Sequence, residues 1–157
     1  LDKFIGDEIM AIWGAPISHP DDVERAVRSA IEMQQVLENY NRERAEKGEV
    51  TLNVGVGLNT GEVVAGYTRS TKSMNYTVVG DNVNTAARIC SAAGPKQVLI
   101  GGNTYEQVSN VVRAEKLPPT KLKGKVEQVE IYRVDGLNQD EMSGQRPTSR
   151  PKSDYSD

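Results

Sequence analysis

Tyr76-Thr77-Val78-Val79-Gly80-Asp81-Asn82-Val83-Asn84-Thr85-Ala86-Ala87-Arg88 is the stretch on which the fold turns. Residues 76–79 are aromatic and β-branched and read as a short strand. Gly80-Asp81 interrupts it, and residues 82–93 read as a helix stopped by Gly94-Pro95. Asn84 and Arg88 are four apart, hence neighbours on one stripe of that helix. Val83, Ala86, Ala87 and Cys90 are assigned to the opposite, apolar side.

Working outward, Leu52, Val54, Val56 and Leu58 alternate with Asn53, Gly55, Gly57 and Asn59, which marks a strand with one nearly bare face. Glycines placed so signal a close backbone approach, either to another chain or to a ligand. Thr60-Gly61 is expected to turn this strand into a partner at residues 62–66, and residues 67–75 read as polar and flexible. Residues 1–5 and 9–13 flank Gly6-Asp7-Glu8 as a β-hairpin, closed off by Gly14-Ala15-Pro16. Residues 20–47 form the clearest helix. Val23, Ala26, Val27, Ala30, Ile31, Met33, Leu37 and Tyr40 follow three-and-four spacing, Pro20 suits the first turn and Gly48 the stop.

Downstream, residues 97–100 read as a strand, 104–109 as one or two helical turns and 111–117 as extended. A basic turn at 122–125 then precedes a strand at 128–134. Strands and helices alternate with adjacent hairpins, which gives an α/β class of the α+β kind. Residues 137–157 lack periodicity and read as a disordered tail, leaving residues 1–136 as the folded domain.

Composition narrows the function. Nineteen basic against 22 acidic residues, a net charge of −3, argue against a general nucleic-acid binder. The one cysteine, Cys90, excludes an internal disulfide and a cysteine-based zinc cluster. No apolar run approaches a membrane span, and Asp2, Lys3, Asp7 and Glu8 are unlike a signal peptide. The domain is therefore expected to be cytoplasmic and to make no membrane contact of its own. Whether the parent is membrane-anchored stays open. The missing initiator Met and the apolar opening suggest a piece of a longer protein.

Taken singly, the polar residues have ordinary readings beside functional ones. Asp7 in a strand–strand turn suits a Mg²⁺ held against a phosphate, or simply a turn. Asn84 beside Arg88 suits a transferring phosphoryl group, or a solvated helix face. Lys121, Lys123 and Lys125 suit a polyphosphate, or a charged hairpin tip. His19, the single histidine, reads as structural or exposed; Cys90 reads as core, and Phe4 and Trp13 as core or dimer contacts.

Their order along the chain is more specific. The blocks Lys3-Phe4-Ile5-Gly6-Asp7-Glu8-Ile9-Met10-Ala11, Val56-Gly57-Leu58-Asn59-Thr60-Gly61 and residues 76–88 together resemble the catalytic domain of class III adenylate and guanylate cyclases across about residues 1–134. The resemblance implies a ferredoxin-like cyclase fold, here without its first strand and first helices. It also implies a head-to-tail homodimer with active sites at the interface. The ribose 3′-hydroxyl of a nucleoside triphosphate would attack the α-phosphate, releasing pyrophosphate. Asp7 matches the second of two metal aspartates that hold two Mg²⁺ or Mn²⁺ ions. Asn84 and Arg88 match the ribose-orienting and phosphorus-stabilising pair. Lys123 matches the lysine on the terminal phosphates, with Lys72 or else Arg69 near them.

Lys3 and Thr77 fall where the family reads the purine. A donor-only lysine and a hydroxyl that accepts fit adenine, whereas guanine would set its ring N–H against the ammonium. ATP is therefore the expected substrate, making the parent an adenylate cyclase that forms cyclic AMP. The family's first metal aspartate lies upstream of the hairpin and is absent from this chain. On that ground the chain alone is expected to be inactive and poorly stable. Three alternatives stand beside this reading: a catalytically silent cyclase-like dimerisation or regulatory module, a guanylate cyclase, and a generic ferredoxin-like binding domain.

Overall fold

The structure is a computed structural model that describes residues 1–69, 74–118 and 128–138. Its elements run β1 (Lys3–Ile5), β2 (Glu8–Met10), α1 (Asp22–Glu46), β3 (Val56–Leu58), β4 (Val64–Arg69) and β5 (Met74–Val79). They continue with α2 (Asp81–Ala92), β6 (Val98–Gly101), α3 (Gly102–Val108), β7 (Val112–Lys116) and β8 (Ile131–Leu137). The central sheet has the order β3-β6-β8-β7, and β1–β2 and β4–β5 form separate antiparallel pairs. β3 and β6 are parallel, whereas β8 is antiparallel to both β6 and β7. Strands and helices thus mix in the α+β manner expected.

The core follows from β6, which is buried at every position. Val98 and Ile100 face one side and join Val27 and Ala30 of α1, Val108 of α3, and Val111, Val112 and Val134. Leu99 faces the other and meets Ile89 of α2 and Ile131. Successive strand residues point to opposite faces, so an unbroken Val-Leu-Ile run requires cover on both sides. α1 and α3 supply one cover and α2 the other.

α1 begins two residues after Pro20, with Asp21 as its N-cap. Pro20 therefore precedes the helix, where its ring sets up entry, and does not occupy the first turn. The buried Asp22 carboxylate accepts from the His19 backbone N–H at 2.6 Å and anchors that entry. Gly48 ends the helix as expected: at φ 71° its N–H reaches the Ala45 carbonyl, and the Glu49 N–H reaches Arg44. Met33 and Tyr40, placed on the apolar stripe, stay half exposed. They border an open groove of about 560 Å³ against Leu52, Val54 and Val56, beside the β3 edge.

Several expectations need correction. The strand expected from Leu52 is laddered only at Val56–Leu58. The Val54 carbonyl still accepts from the Lys96 N–H at 3.0 Å, but Lys96 at φ 64° is not extended and begins no ladder there. Leu52 is held by α1 instead: Asn41 accepts from its N–H at 2.8 Å and donates to its carbonyl at 2.6 Å. The bare glycine face meets neither a ligand nor another chain. A Cβ on Gly57 would lie 2.2 Å from the Cys90 backbone nitrogen, and one on Gly55 2.7 Å from the Ala93 carbonyl oxygen. α2 of the same chain fills that face.

The strand after Thr60-Gly61 does not pair with β3. It runs Val64–Arg69 and pairs with β5, from Val64↔Val79 to Arg69↔Met74. Much of the stretch read as flexible is thus arms of a hairpin. At the C-terminal end β8 reaches Leu137, three residues past the expected Val134. Leu137 packs on the core, and the Asn138 N–H and side chain donate to the Val111 and Asn110 carbonyls at 2.8 and 2.7 Å. The folded part therefore extends two residues beyond 136; the rest of the tail lies outside the described residues. Phe4 is 69% exposed, so it is not core.

Gly57→Ala is expected to destabilise the chain by at least about 1–3 kcal/mol, since the backbone of α2 must move to admit one methyl group. Gly66→Ala, whose new Cβ would meet nothing within 4 Å, should stay within about 0.5 kcal/mol of the parent. Urea unfolding of both variants checks the contrast.

Candidate active site

Two units carry the described candidate residues. The first is the hairpin β1–β2, with Ile5↔Glu8 as its innermost pair. Gly6 takes φ 63° as the first turn residue, the conformation a tight two-residue hairpin demands. Asp7 follows it and stands exposed at the tip. At the other end of the hairpin the Lys3 ammonium lies 3.2 Å from the Asp2 carboxylate, whose side chain is 8% exposed. A lysine held beside a buried carboxylate loses rotamer freedom, which suits it to meeting one ligand atom.

The second unit is β5–α2. Gly80, at φ 148°, turns the strand into the helix, and the Val83 N–H closes onto the Gly80 carbonyl at 3.1 Å. Thr85 and Ile89 are buried, and the Thr85 hydroxyl donates to the Asp81 carbonyl at 2.9 Å. That orientation leaves Asn84 exposed and Arg88 half-buried, one turn apart on the outward side. Ala87, assigned to the apolar side, is exposed and shares their stripe. The alanine is small and leaves the carboxamide and guanidinium open between them. Among the described residues, no hydrogen bond or ion pair occupies either the Asn84 carboxamide or the Arg88 guanidinium. Thr77 sits on β5 opposite Gly66, three residues before the turn into α2. Arg69 ends β4 opposite Met74.

Lys72 and Lys123, with Lys121 and Lys125, lie outside the described residues. Among the described residues no three His, Cys, Asp or Glu side chains gather as a metal site. Asp7 thus offers one carboxylate arm and not the donor set of a two-ion centre. No described helix is long and apolar enough to cross a membrane.

Cys90 links the two units electrostatically. It is half-buried on α2 with Sγ 3.7 Å from the Gly55 carbonyl. Burial pushes its thiol pKa up and the Glu8 carboxylate pushes it further, while the Gly57 backbone opposes them. Sequence reasoning passed over Asn59 and Asn82. The Asn59 carboxamide donates to both the carbonyl and Oδ1 of Asn82 at 3.1 Å, and the Asn82 carboxamide donates to the Glu62 carbonyl at 2.9 Å. A strand-ending Asn-Thr-Gly was the available signal.

Comparison with known proteins agrees with this layout. The family described as adenylate and guanylate cyclase catalytic domain matches residues 3–136. Adenylate cyclase 1 of Rhizobium meliloti is 30% identical over 137 residues, covering 86% of this chain and 21% of that protein. An adenylate cyclase of Anabaena cylindrica is 34% identical over 148 residues, covering 85% and 28%. Among solved structures, the guanylyl cyclase Cya2 is 38% identical at TM-score 0.81, covering 88% of this chain and 70% of that one. The adenylyl cyclase CyaB from P. aeruginosa is 29% identical at TM-score 0.82, covering 88% and 72%. The fold is thus the ferredoxin-like cyclase fold. The chain spans about a quarter of the length of these curated relatives.

Alkylation of Cys90 by iodoacetamide is expected to be slower than that of a free cysteine at every pH from about 7 to 9, because a raised thiol pKa leaves less thiolate. Glu8→Gln should shift the rate profile to lower pH without bringing it to that of a free thiol, since burial is the larger cause. A profile unmoved by Glu8→Gln would separate the hairpin from α2.

Proposed function

The chain belongs to the adenylate and guanylate cyclase catalytic domain family, and we propose that it converts ATP to 3′,5′-cyclic AMP and pyrophosphate as part of a longer protein. The observation that carries this is the open Asn84–Arg88 pair on the outward stripe of α2. The 3′-hydroxyl attacks the α-phosphorus, an O–P bond forms in line with the bond to the departing pyrophosphate, and negative charge accumulates on the phosphoryl oxygens. A guanidinium presents several N–H donors in a plane and meets that charge where it develops. A carboxamide one turn earlier can donate to and accept from the ribose, holding the attacking hydroxyl in line. Lys72 and Lys123 would meet the outer phosphates.

Asp7 and the Asn84–Arg88 pair sit on different units, and no hydrogen bond or ion pair among the described residues joins them. A homodimer would bring the hairpin of one copy opposite α2 of the other. The exposed Phe4, Ile5, Ile9, Val64 and Tyr67 on the two hairpins offer apolar surface for such pairing. Mg²⁺ or Mn²⁺, when bound, would neutralise phosphate charge, with Asp7 as one ligand. Among the described residues no further carboxylate, histidine or cysteine gathers with Asp7 to complete either ion's shell.

ATP is favoured over GTP by the donor-only Lys3 ammonium, held beside Asp2, with the Thr77 hydroxyl as acceptor. The GTP reading has its own support in the 38% identity to a guanylyl cyclase. A cyclic-nucleotide assay of the full-length protein with ATP and GTP in parallel tests both. Cyclic AMP from ATP supports the first reading, cyclic GMP the second, and no product the silent module.

Arg88→Ala in the full-length protein should raise the barrier by about 2–4 kcal/mol, read as a fall in kcat. Unchanged kcat would remove Arg88 from the reaction. Lys3→Glu combined with Thr77→Cys should erode the ATP preference, measured as the ratio of kcat/KM for ATP to that for GTP. An intact ratio would place base recognition elsewhere.

A further inference from the structure

Asn82, which the proposed reaction leaves unused, stands two residues before Asn84 and faces the other way. It shares the inward side of α2 with the buried Thr85 and Ile89, three and seven residues on. Its Nδ2 donates to the Glu62 carbonyl at 2.9 Å, and its Oδ1 and its own carbonyl both accept from Asn59 Nδ2 at 3.1 Å. Each carboxamide nitrogen meets an oxygen, so the two amides fix each other's orientation. Asn59 directly follows β3, and Glu62 lies just before β4. One side chain therefore ties the end of β3, the approach to β4 and the first turn of α2. The turn is shaped around it: a Cβ on Gly61 would lie 2.3 Å from the Asn82 carboxamide, and one on Gly101 2.7 Å from Asn59 Oδ1.

A rigid helix needs two attachments to fix its direction and its rotation. The Gly57 contact at Cys90 is one, near the end of α2. Asn82 is the other, eight residues earlier, or about 12 Å along the axis. Asn84 and Arg88 lie between the two. With the Asn82 attachment gone, the end of α2 carrying Asn84 can swing or roll while the core contacts of Ile89 persist.

We propose that Asn82 is a positioning residue for the cyclase reaction: clasped between Asn59 and the Glu62 carbonyl, it sets the rotation of α2 and thereby where Asn84 and Arg88 meet the nucleotide. This rests on the reading that Asn84 and Arg88 act on that nucleotide.

Asn82→Asp in the full-length protein tests it. The substitution keeps the size and the acceptor facing Asn59. It replaces the donor toward Glu62 with a carboxylate oxygen facing a carbonyl oxygen. A carboxylate in the first turn of a helix is favoured by the helix dipole, so folding is retained. The expected result is a kcat lowered about tenfold, or about 1.4 kcal/mol of barrier, with KM within about threefold. The melting temperature should stay within about 2 °C of wild type, well short of the shift a core defect causes. Asn59→Ala should lower kcat similarly, and the double variant should fall no further than the worse single one, because both remove the same clasp. Wild-type kcat in Asn82→Asp, or a loss that tracks a fall in melting temperature in both single variants, overturns the proposal. Wild-type protein that turns over neither ATP nor GTP overturns the cyclase reading and the positioning role with it. Normal wild-type turnover with both variants unaffected overturns the clasp alone.

Discussion

The backbone of α2 lies directly on the glycine face of β3, and most of the functional geometry depends on that contact. With Gly57 lacking a Cβ, the Cys90 nitrogen comes within the space a methyl group would need. The close approach drives Ile89 down onto Leu99 and Ile131 and buries Thr85. Helical periodicity then settles the other side: if positions 85 and 89 face in, positions 84 and 88 face out and away from the strand. The polar stripe is thus a consequence of two glycines some thirty residues upstream, not of any local preference for exposing Asn84 and Arg88.

The second cover of the sheet works differently. α1 contributes its first half to the core through Val27 and Ala30, while its second half borders an open groove with Leu52 and Val54. Asn41 bridges the two regimes by standing in for a strand partner at Leu52. Hydrogen-bonding groups at an unpaired strand need some partner, and a buried carboxamide with one donor and one acceptor side matches a peptide unit well. The hairpins β1–β2 and β4–β5 lie outside the central sheet and expose apolar side chains. That apolar surface is what the proposed pairing of two copies would cover.

Much of the fold was legible from local signals. The hairpin turn at Gly6-Asp7, the Gly48 stop of α1, the strand-to-helix turn at Gly80 and the buried run of β6 all follow from residue chemistry within a few positions. The misreadings share one cause. Alternation at Leu52 predicted a strand, yet its backbone groups are taken by Asn41 and the chain ahead of β6 turns at Lys96. The segment after Gly61 was extended as expected but paired with β5 and not with β3. Leu137 looked like the start of the tail, and its pairing with Val112 of β7, followed by the Asn138 N–H on the Val111 carbonyl, drew that end into the fold. In the site, Ala87 was placed on the wrong face, because three alanine-sized or apolar neighbours leave the inward direction of a short helix ambiguous.

What the sequence determined by itself was the chemical inventory and its local setting: a carboxylate at a turn, a lysine at a strand start, a carboxamide and a guanidinium one helical turn apart. Those follow from spacing, because backbone geometry over a few residues is nearly fixed by residue type. Only the tertiary structure decided which faces were covered, that the bare glycines receive a helix, and that Asn59 and Asn82 meet across 23 positions of chain. Periodicity reports that a residue has a face to bury, and it carries no information about which distant backbone will come to bury it.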